Sequence, residues 1–303
     1  MNPESAPTHP ARPTLWDRLL RIERRLIYLF LGIAVAVPLF VPFRLRPRAM
    51  DPVISLFNTI DSLPQDKAVV ISVDYAPDTE AELQPMTVAL LRHAFARRLK
   101  GGVLSMAVQG LGLADAALNS VVAEFNARTK APAESLRYGR DYVFWGFQTP
   151  ALLVMTGMGE DISKVFPADA YRNRTDTLPI SEAVRNYSNT GIVVSIAASS
   201  FPLTWVTYAQ TVFGVRIGTG ITAVSAADFY PYYSKTRQFS GLLSGMKGAA
   251  EYEELLAQHY PETAGGRRRA TESMSSQTTA HFAIMLLIVV GNVAFFAVRR
   301  RKS

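Results

Sequence analysis

Five polar side chains stand where short apolar runs end: Asp74 closing 67–74, Gln109 after 103–108, Gln148 after 142–147, Ser199 after 192–197 and Thr219 after 215–217. In a parallel sheet, ligands sit beyond the carboxyl ends of the strands. A carboxylate, two amides and two hydroxyls there, with Tyr75, Gly110, Ser200 and Gly220 beside them, would hold a polar ligand if the strand ends converge. Asp74 with Asp78, or Glu160 with Asp161, has the oxygen donors of a divalent-cation site. Acids at turns and helix caps explain the same residues.

Two glycine-bearing turns invite comparison with phosphate loops: 156–161 (TGMGED) and 218–220 (GTG). Neither completes GxGxxG or GxxxxGK[ST], and Glu160 with Asp161 would repel a phosphate at a helix N-terminus. The expectation for those acids is capping. His93 and His259 fall in separate helical patterns, His93 among arginines on a helix border, and neither a GxSxG elbow nor an HExxH pair is present. With no cysteine in the chain, thiol nucleophiles, thiolate metal sites and disulfides are excluded. No catalytic residue, metal site or cofactor is expected.

The elements that would position these groups alternate. Residues 67–74 (KAVVISVD) read as a buried strand. A helix over 79–100 follows, with Leu83, Met86, Leu90, Leu91, Ala94 and Phe95 at helical spacing, and Gly101 and Gly102 end it. Strands at 103–108, 142–147, 192–197 and 215–217 alternate with helices at 113–128 and 201–213, and 241–259 closes the domain as a helix. Strands separated by crossover helices predict an α/β fold, a Rossmann-like three-layer sandwich with a mostly parallel sheet.

Two uncharged apolar stretches flank this domain, 26–43 and 280–298. At about 1.5 Å rise per residue, about 20 apolar residues cross a bilayer. The reading is therefore a basic tail (1–25), a membrane helix (26–43), an α/β domain (44–262), a flexible Gly, Arg, Ser and Thr tether (263–279), a second membrane helix (280–298) and a basic tail (299–303). The chain carries a formal net charge of +7, but residues 44–266 hold 20 Lys and Arg against 21 Asp and Glu. The basicity lies instead at the membrane borders, in Arg12, Arg18, Arg21, Arg24 and Arg25 and in Arg299, Arg300, Arg301 and Lys302. That distribution fits anionic lipid headgroups and excludes a nucleic-acid patch on the domain. Short basic flanks favour cytoplasmic termini and an exoplasmic domain, periplasmic if the membrane is a bacterial inner membrane.

Two further groups suggest partners. Phe229, Tyr230, Tyr232 and Tyr233 cluster around Pro231, and Gly241, Gly245 and Gly248 recur at one-turn spacing, a surface for close approach by the sheet itself or by another subunit. In the membrane stretches, Gly32 with Ala36, and Gly291 with Asn292, give small-residue and amide sites for helix packing. The strand at 69–74, the helix through Arg92 and the strand at 103 resemble the opening of an extracytoplasmic CHASE-type sensor domain. The expected proline-tryptophan pattern is absent around Gln84-Pro85-Met86, and the shared pattern is that of any β-α-β unit, so no family is assigned. The expected role is a non-enzymatic interaction or assembly component of a membrane complex, bound to a membrane protein or to its own copies. An extracytoplasmic ligand sensor is the alternative, and a cell-envelope enzyme the third reading.

Overall fold

The computed structural model describes residues 15–40, 48–129 and 131–302. The chain divides into two compact units, Leu45–Thr271 and a second made of Met1–Arg44 with Glu272–Ser303.

The smaller unit holds α1 (Leu15–Leu20), α2 (Arg24–Phe40) and most of the last helix, which spans Arg269–Lys302. The segment Arg269–Arg300 is long and apolar enough to cross a membrane, with a mean hydropathy of 2.3 in its most apolar stretch. Among the described residues it is the one helix of that length and composition. α2 is described as far as Phe40, and the remainder of the expected first span, 41–43, lies outside the described residues. The tether expected over 263–279 is a 3-10 turn at Pro261–Gly265 followed by helix from Arg269 onward. Within this unit, the Ser276 hydroxyl donates to the Val35 carbonyl at 2.7 Å. A Cβ added at Gly32 or at Gly291 would meet nothing within 4 Å. The Asn292 amide donates to the Ile288 carbonyl of its own helix at 3.0 Å.

The larger unit runs α3 (Asp51–Asp61), β1 (Ala68–Asp74), α4 (Glu80–Ala96), β2 (Lys100–Ser105), α5 (Leu111–Arg128), β3 (Tyr142–Phe147), α6 (Ala151–Gly157), α7 (Ile162–Val165), α8 (Ile180–Ala183), β4 (Thr190–Ala197), α9 (Phe201–Trp205), α10 (Thr211–Phe213), β5 (Ile217–Ile221), α11 (Ala226–Ser234), β6 (Phe239–Ser244) and α12 (Gly245–His259). The final helix is α13. The six strands lie in the order β3-β2-β1-β4-β5-β6, every pair parallel. This is the doubly wound order of the Rossmann fold, with its switch point between β1 and β4. All seven residues of β1 and all eight of β4 are buried, as strands covered on both faces must be.

One helical layer comprises α5, α4, α12 and α3; the other comprises α6 to α8, α9 with α10, and α11. Trp145, Phe166, Trp205, Phe229 and Phe239 fill the core beneath the second layer.

Several boundaries differ from those expected. Gly101 and Gly102 do not end α4; they lie inside β2, where an added Cβ would come 2.9 Å from the Phe95 ring and 2.3 Å from the Trp145 ring. The helix ends instead through Arg98, at φ 57. β5 begins at Ile217, so Thr219 is a buried strand residue and not part of a loop. The expected helix 241–259 is split: 241–244 belong to β6, and a Cβ at Gly241 would fall 2.4 Å from the Leu56 backbone nitrogen of α3. Gly245 turns the chain at φ 58 into α12. Both glycines serve the domain's own packing, which corrects their reading as an interaction surface.

Candidate functional site

At the switch point, Asp74 ends β1 and its carboxyl is buried. Oδ1 accepts the Met106 backbone N–H at 2.6 Å; Oδ2 accepts the Ser72 hydroxyl at 2.7 Å and the Ser195 hydroxyl at 3.2 Å. Burial pushes the Asp74 carboxyl up to about 6, against the opposing effect of these three donors. The Trp205 indole also favours the ionised form, although its N–H finds no partner in hydrogen-bonding geometry. Thr219 joins the same knot by donating to the Ser195 carbonyl at 3.1 Å.

The structure thus brings Asp74 and Thr219 together through Ser195. Gln109 and Ser199 are exposed and Gln148 is half-buried on their own loops, and among the described residues no hydrogen bond joins them to Asp74. The turn before α5 also closes over the end of β1, since a Cβ on Gly110 would lie 2.2 Å from the Val73 carbonyl oxygen. The expected strand-end cluster is therefore a packed internal knot, with three loop residues separate from it.

A second polar centre lies where the sequence offered only a helix, in the run Glu251-Tyr252-Glu253-Glu254 of α12. All four side chains are buried. Glu251 pairs with Lys247 one turn earlier and accepts the Met50 backbone N–H, at the entrance to α3, at 3.0 Å. Glu254 holds Arg268 at 2.6 Å, both nearly enclosed. Glu253 accepts from the backbone of Ala270 at 3.2 Å and Thr271 at 2.9 Å and from the Thr271 hydroxyl at 2.8 Å. It thereby caps the first turn of α13, where a carboxylate suits the helix dipole. Burial raises the Glu253 pKa, with the Thr271 contacts opposing. One helix thus fastens both the segment entering the domain and the segment leaving it. Three acids among four residues of a helix was the available signal.

His93 also departs from expectation. It is fully buried, stacked on Phe57 at 4.3 Å. Its Nδ1 lies 2.6 Å from the Tyr252 hydroxyl and its Nε2 3.3 Å from Asp61. Burial lowers the His93 pKa to about 4, so the ring is neutral at neutral pH. Burial by itself would raise the Asp61 carboxyl, but hydrogen bonds from Tyr260 and His93 outweigh it and hold it below its usual range. This cluster ties α3, α4 and α12 together.

Along the outer side of the same layer, α4 and α5 enclose a groove of about 320 Å³. α4 supplies Glu80, Gln84, Val88 and Arg92 at four-residue spacing, α5 supplies the small Ala116, Ala117 and Ser120, and Arg267 and Arg269 stand at the Arg92 end.

The opposite layer is different in kind. No charged residue occurs over 142–159 or 188–215, the stretches that form α6 and the continuous helix α9, a π-helical turn at Val206–Gln210, and α10. Leu153 is 63% exposed and Val212 59%, with Leu152 and Phe213 also open to solvent. α6 packs on the π-helical turn, so the two stretches share one face. Of the aromatic cluster on α11, Phe229 and Tyr233 are buried in the core, which corrects their reading as surface residues. Tyr232 is half-buried, and Tyr230 points outward at 48% exposed. In the turn after α6, Asp161 caps α7 by accepting the Ser163 N–H at 3.0 Å, as its position suggested.

No family model and no curated protein matches this sequence. Among solved structures, the chain is similar to the crystal structure of alpha,alpha-trehalose 6-phosphate synthase from Burkholderia multivorans, at 11% identity and a TM-score of 0.32 over 90% of this chain and 50% of that one. The chain spans half the length of that protein.

Proposed function

We propose that this protein is a membrane-anchored, non-enzymatic interaction component of a membrane complex. Its uncharged helical face is the surface that meets a membrane-protein partner or a second copy. The observation carrying this reading is the exposure of Leu152, Leu153, Val212 and Phe213 on a face whose helices contain no charge. Interface centres are depleted of charge, and contiguous exposed apolar surface in a folded domain marks an interaction site. In this reading α13 crosses the membrane, α2 with the residues after it forms a second span, both basic tails are cytoplasmic and the domain is exoplasmic. Gly32, Ala36, Gly291 and Asn292 then belong to helix packing within the membrane.

The test is a charge placed on the face. In full-length protein extracted from its native membrane, Leu153→Lys combined with Val212→Lys should collapse the assembly on native electrophoresis to the mass of the isolated chain, without lowering the unfolding midpoint of the domain. An assembly of unchanged mass would reject the reading.

A further inference from the structure

The groove between α4 and α5 presents its charges unevenly. At the Arg92 end most are committed: Arg92 donates to Glu124 at 2.6 Å and to the Arg267 carbonyl at 3.2 Å. Glu124 also holds Arg128 at 3.0 Å, and Glu253 is occupied by the first turn of α13. Two lining charges are not committed, for among the described residues neither Glu80 nor Arg269 makes an ion pair. Beside Arg269, the buried Arg92 Nε–H lacks a hydrogen-bond partner. The groove therefore has a spare anion at one end and spare cationic donors at the other, with Pro85, Val88, Ala116 and Ala117 between them.

Its dimensions restrict what joins those ends. Glu80 and Arg92 are three helical turns apart on α4, roughly 18 Å along the axis. An extended tripeptide spans about 10 Å, and the long Glu80 and Arg269 side chains take up the rest. The cavity of about 320 Å³ lies at the small end of the range for small-molecule sites, ~300 to 1,000 Å³. The small side chains of α5 leave room along the groove for a peptide backbone and its substituents.

We propose that this groove binds a short linear peptide with free termini, its ammonium group at Glu80 and its carboxylate at Arg269 beside Arg92. The site is separate from the uncharged face, on the other side of the sheet, and stands or falls independently of partner binding there.

Isothermal titration of the full-length protein in nanodiscs with trialanine, N-acetyl-trialanine and trialanine amide tests it. Trialanine should bind saturably, and each capped form should bind at least about tenfold more weakly, as expected when a charge-assisted hydrogen bond is lost. Glu80→Gln should abolish the preference for the free amine and leave the preference for the free carboxylate; Arg269→Gln should do the reverse. Ala116→Phe or Ser120→Phe, both at exposed positions, should block binding without moving the unfolding midpoint. Absence of saturable heat with trialanine overturns the proposal, as does equal binding of the capped peptides. Sensitivity to the amide cap alone also overturns it, because the site would then recognise an anion and not a peptide.

Discussion

The two helical layers of this sheet solve opposite problems with opposite compositions. The layer of α3, α4, α5 and α12 takes charge into its interior: Glu251, Glu253, Glu254, Arg92, Arg268 and His93 are all buried there, and their partners include the chain segments at both ends of the domain. In the other layer α6, α9 and α10 carry no charge even on their exposed side, while the charges of that layer lie on α7, α8 and α11, at Lys164, Glu182 and Asp228. Buried ion pairs are costly to assemble and still more costly to break, and they serve positional specificity better than stability. A neutral apolar surface specifies nothing within the fold and lowers the desolvation cost of an approaching partner. The first layer holds the chain's entry and exit; on the proposed reading, α6, α9 and α10 of the second meet a partner.

Breaking the latch should have the largest effect. Arg268→Ala would leave Glu254 buried without its guanidinium, and loss of one partner of a buried pair costs about 3 to 5 kcal/mol. Chemical denaturation of the domain should show a loss of that size. A change below about 1 kcal/mol would mean that the Arg268–Glu254 contact is solvated and would dissolve the distinction between the layers.

The next effect lies under the uncharged face and depends on pH. Asp74 has a native pKa of about 6 against 3.8 for the free group, so between those values the native state holds the proton more tightly. Its contribution to stability is therefore lost as pH rises from about 4 to 6, a deficit of about 3 kcal/mol at neutral pH. Asp74→Asn should raise the stability at pH 7 relative to pH 4 by about that amount. His93 has the opposite sign: its native pKa of about 4 lies below the ordinary 6.5, so the unfolded chain takes up the proton first and stability falls as pH drops from 6.5 towards 4. The Asp74→Asn variant should expose this acid limb, and adding His93→Gln should flatten it. A limb unchanged by His93→Gln would show that the α3–α4–α12 cluster does not carry it.

How much of this was legible in the sequence follows from the physics of each signal. The apolar runs at β1 and β4 were readable because strands covered on both faces are continuously apolar, and the alternation of strand and helix pointed to the parallel sheet. Glycine was misread twice for one reason. Gly101, Gly102 and Gly241 sit in strands to admit Phe95, Trp145 and the backbone of α3, and close packing across layers leaves no local pattern. Asp74 was nominated correctly as a strand-end residue, and its partner Ser72 is two residues away on the same strand, but Ser195 is brought beside it by the pairing of β1 with β4, which the sequence does not encode locally. The burial of His93 was likewise invisible, because the residues enclosing it, Phe57 and Tyr252, are remote in sequence. The uncharged stretches were in plain view; their exposure was not.

The smallest effect sets the limits of the neutral face. On α11, Phe229 and Tyr233 are core residues while Tyr230 alternates outward, so the aromatic cluster separates into two roles within one helix. Phe229→Ala should cost about 3 to 5 kcal/mol through the cavity it leaves, whereas Tyr230→Lys, a surface change, should move stability by no more than about 0.5 kcal/mol. The informative measurement is association in the native membrane. If the contact surface continues from α10 across α11, Tyr230→Lys should weaken the assembly while the unfolding midpoint stays fixed. If the assembly is unaffected, the surface ends at α10 and Tyr230 is an ordinary solvent-facing residue, and α6 with α9 and α10 must then bear the whole interaction.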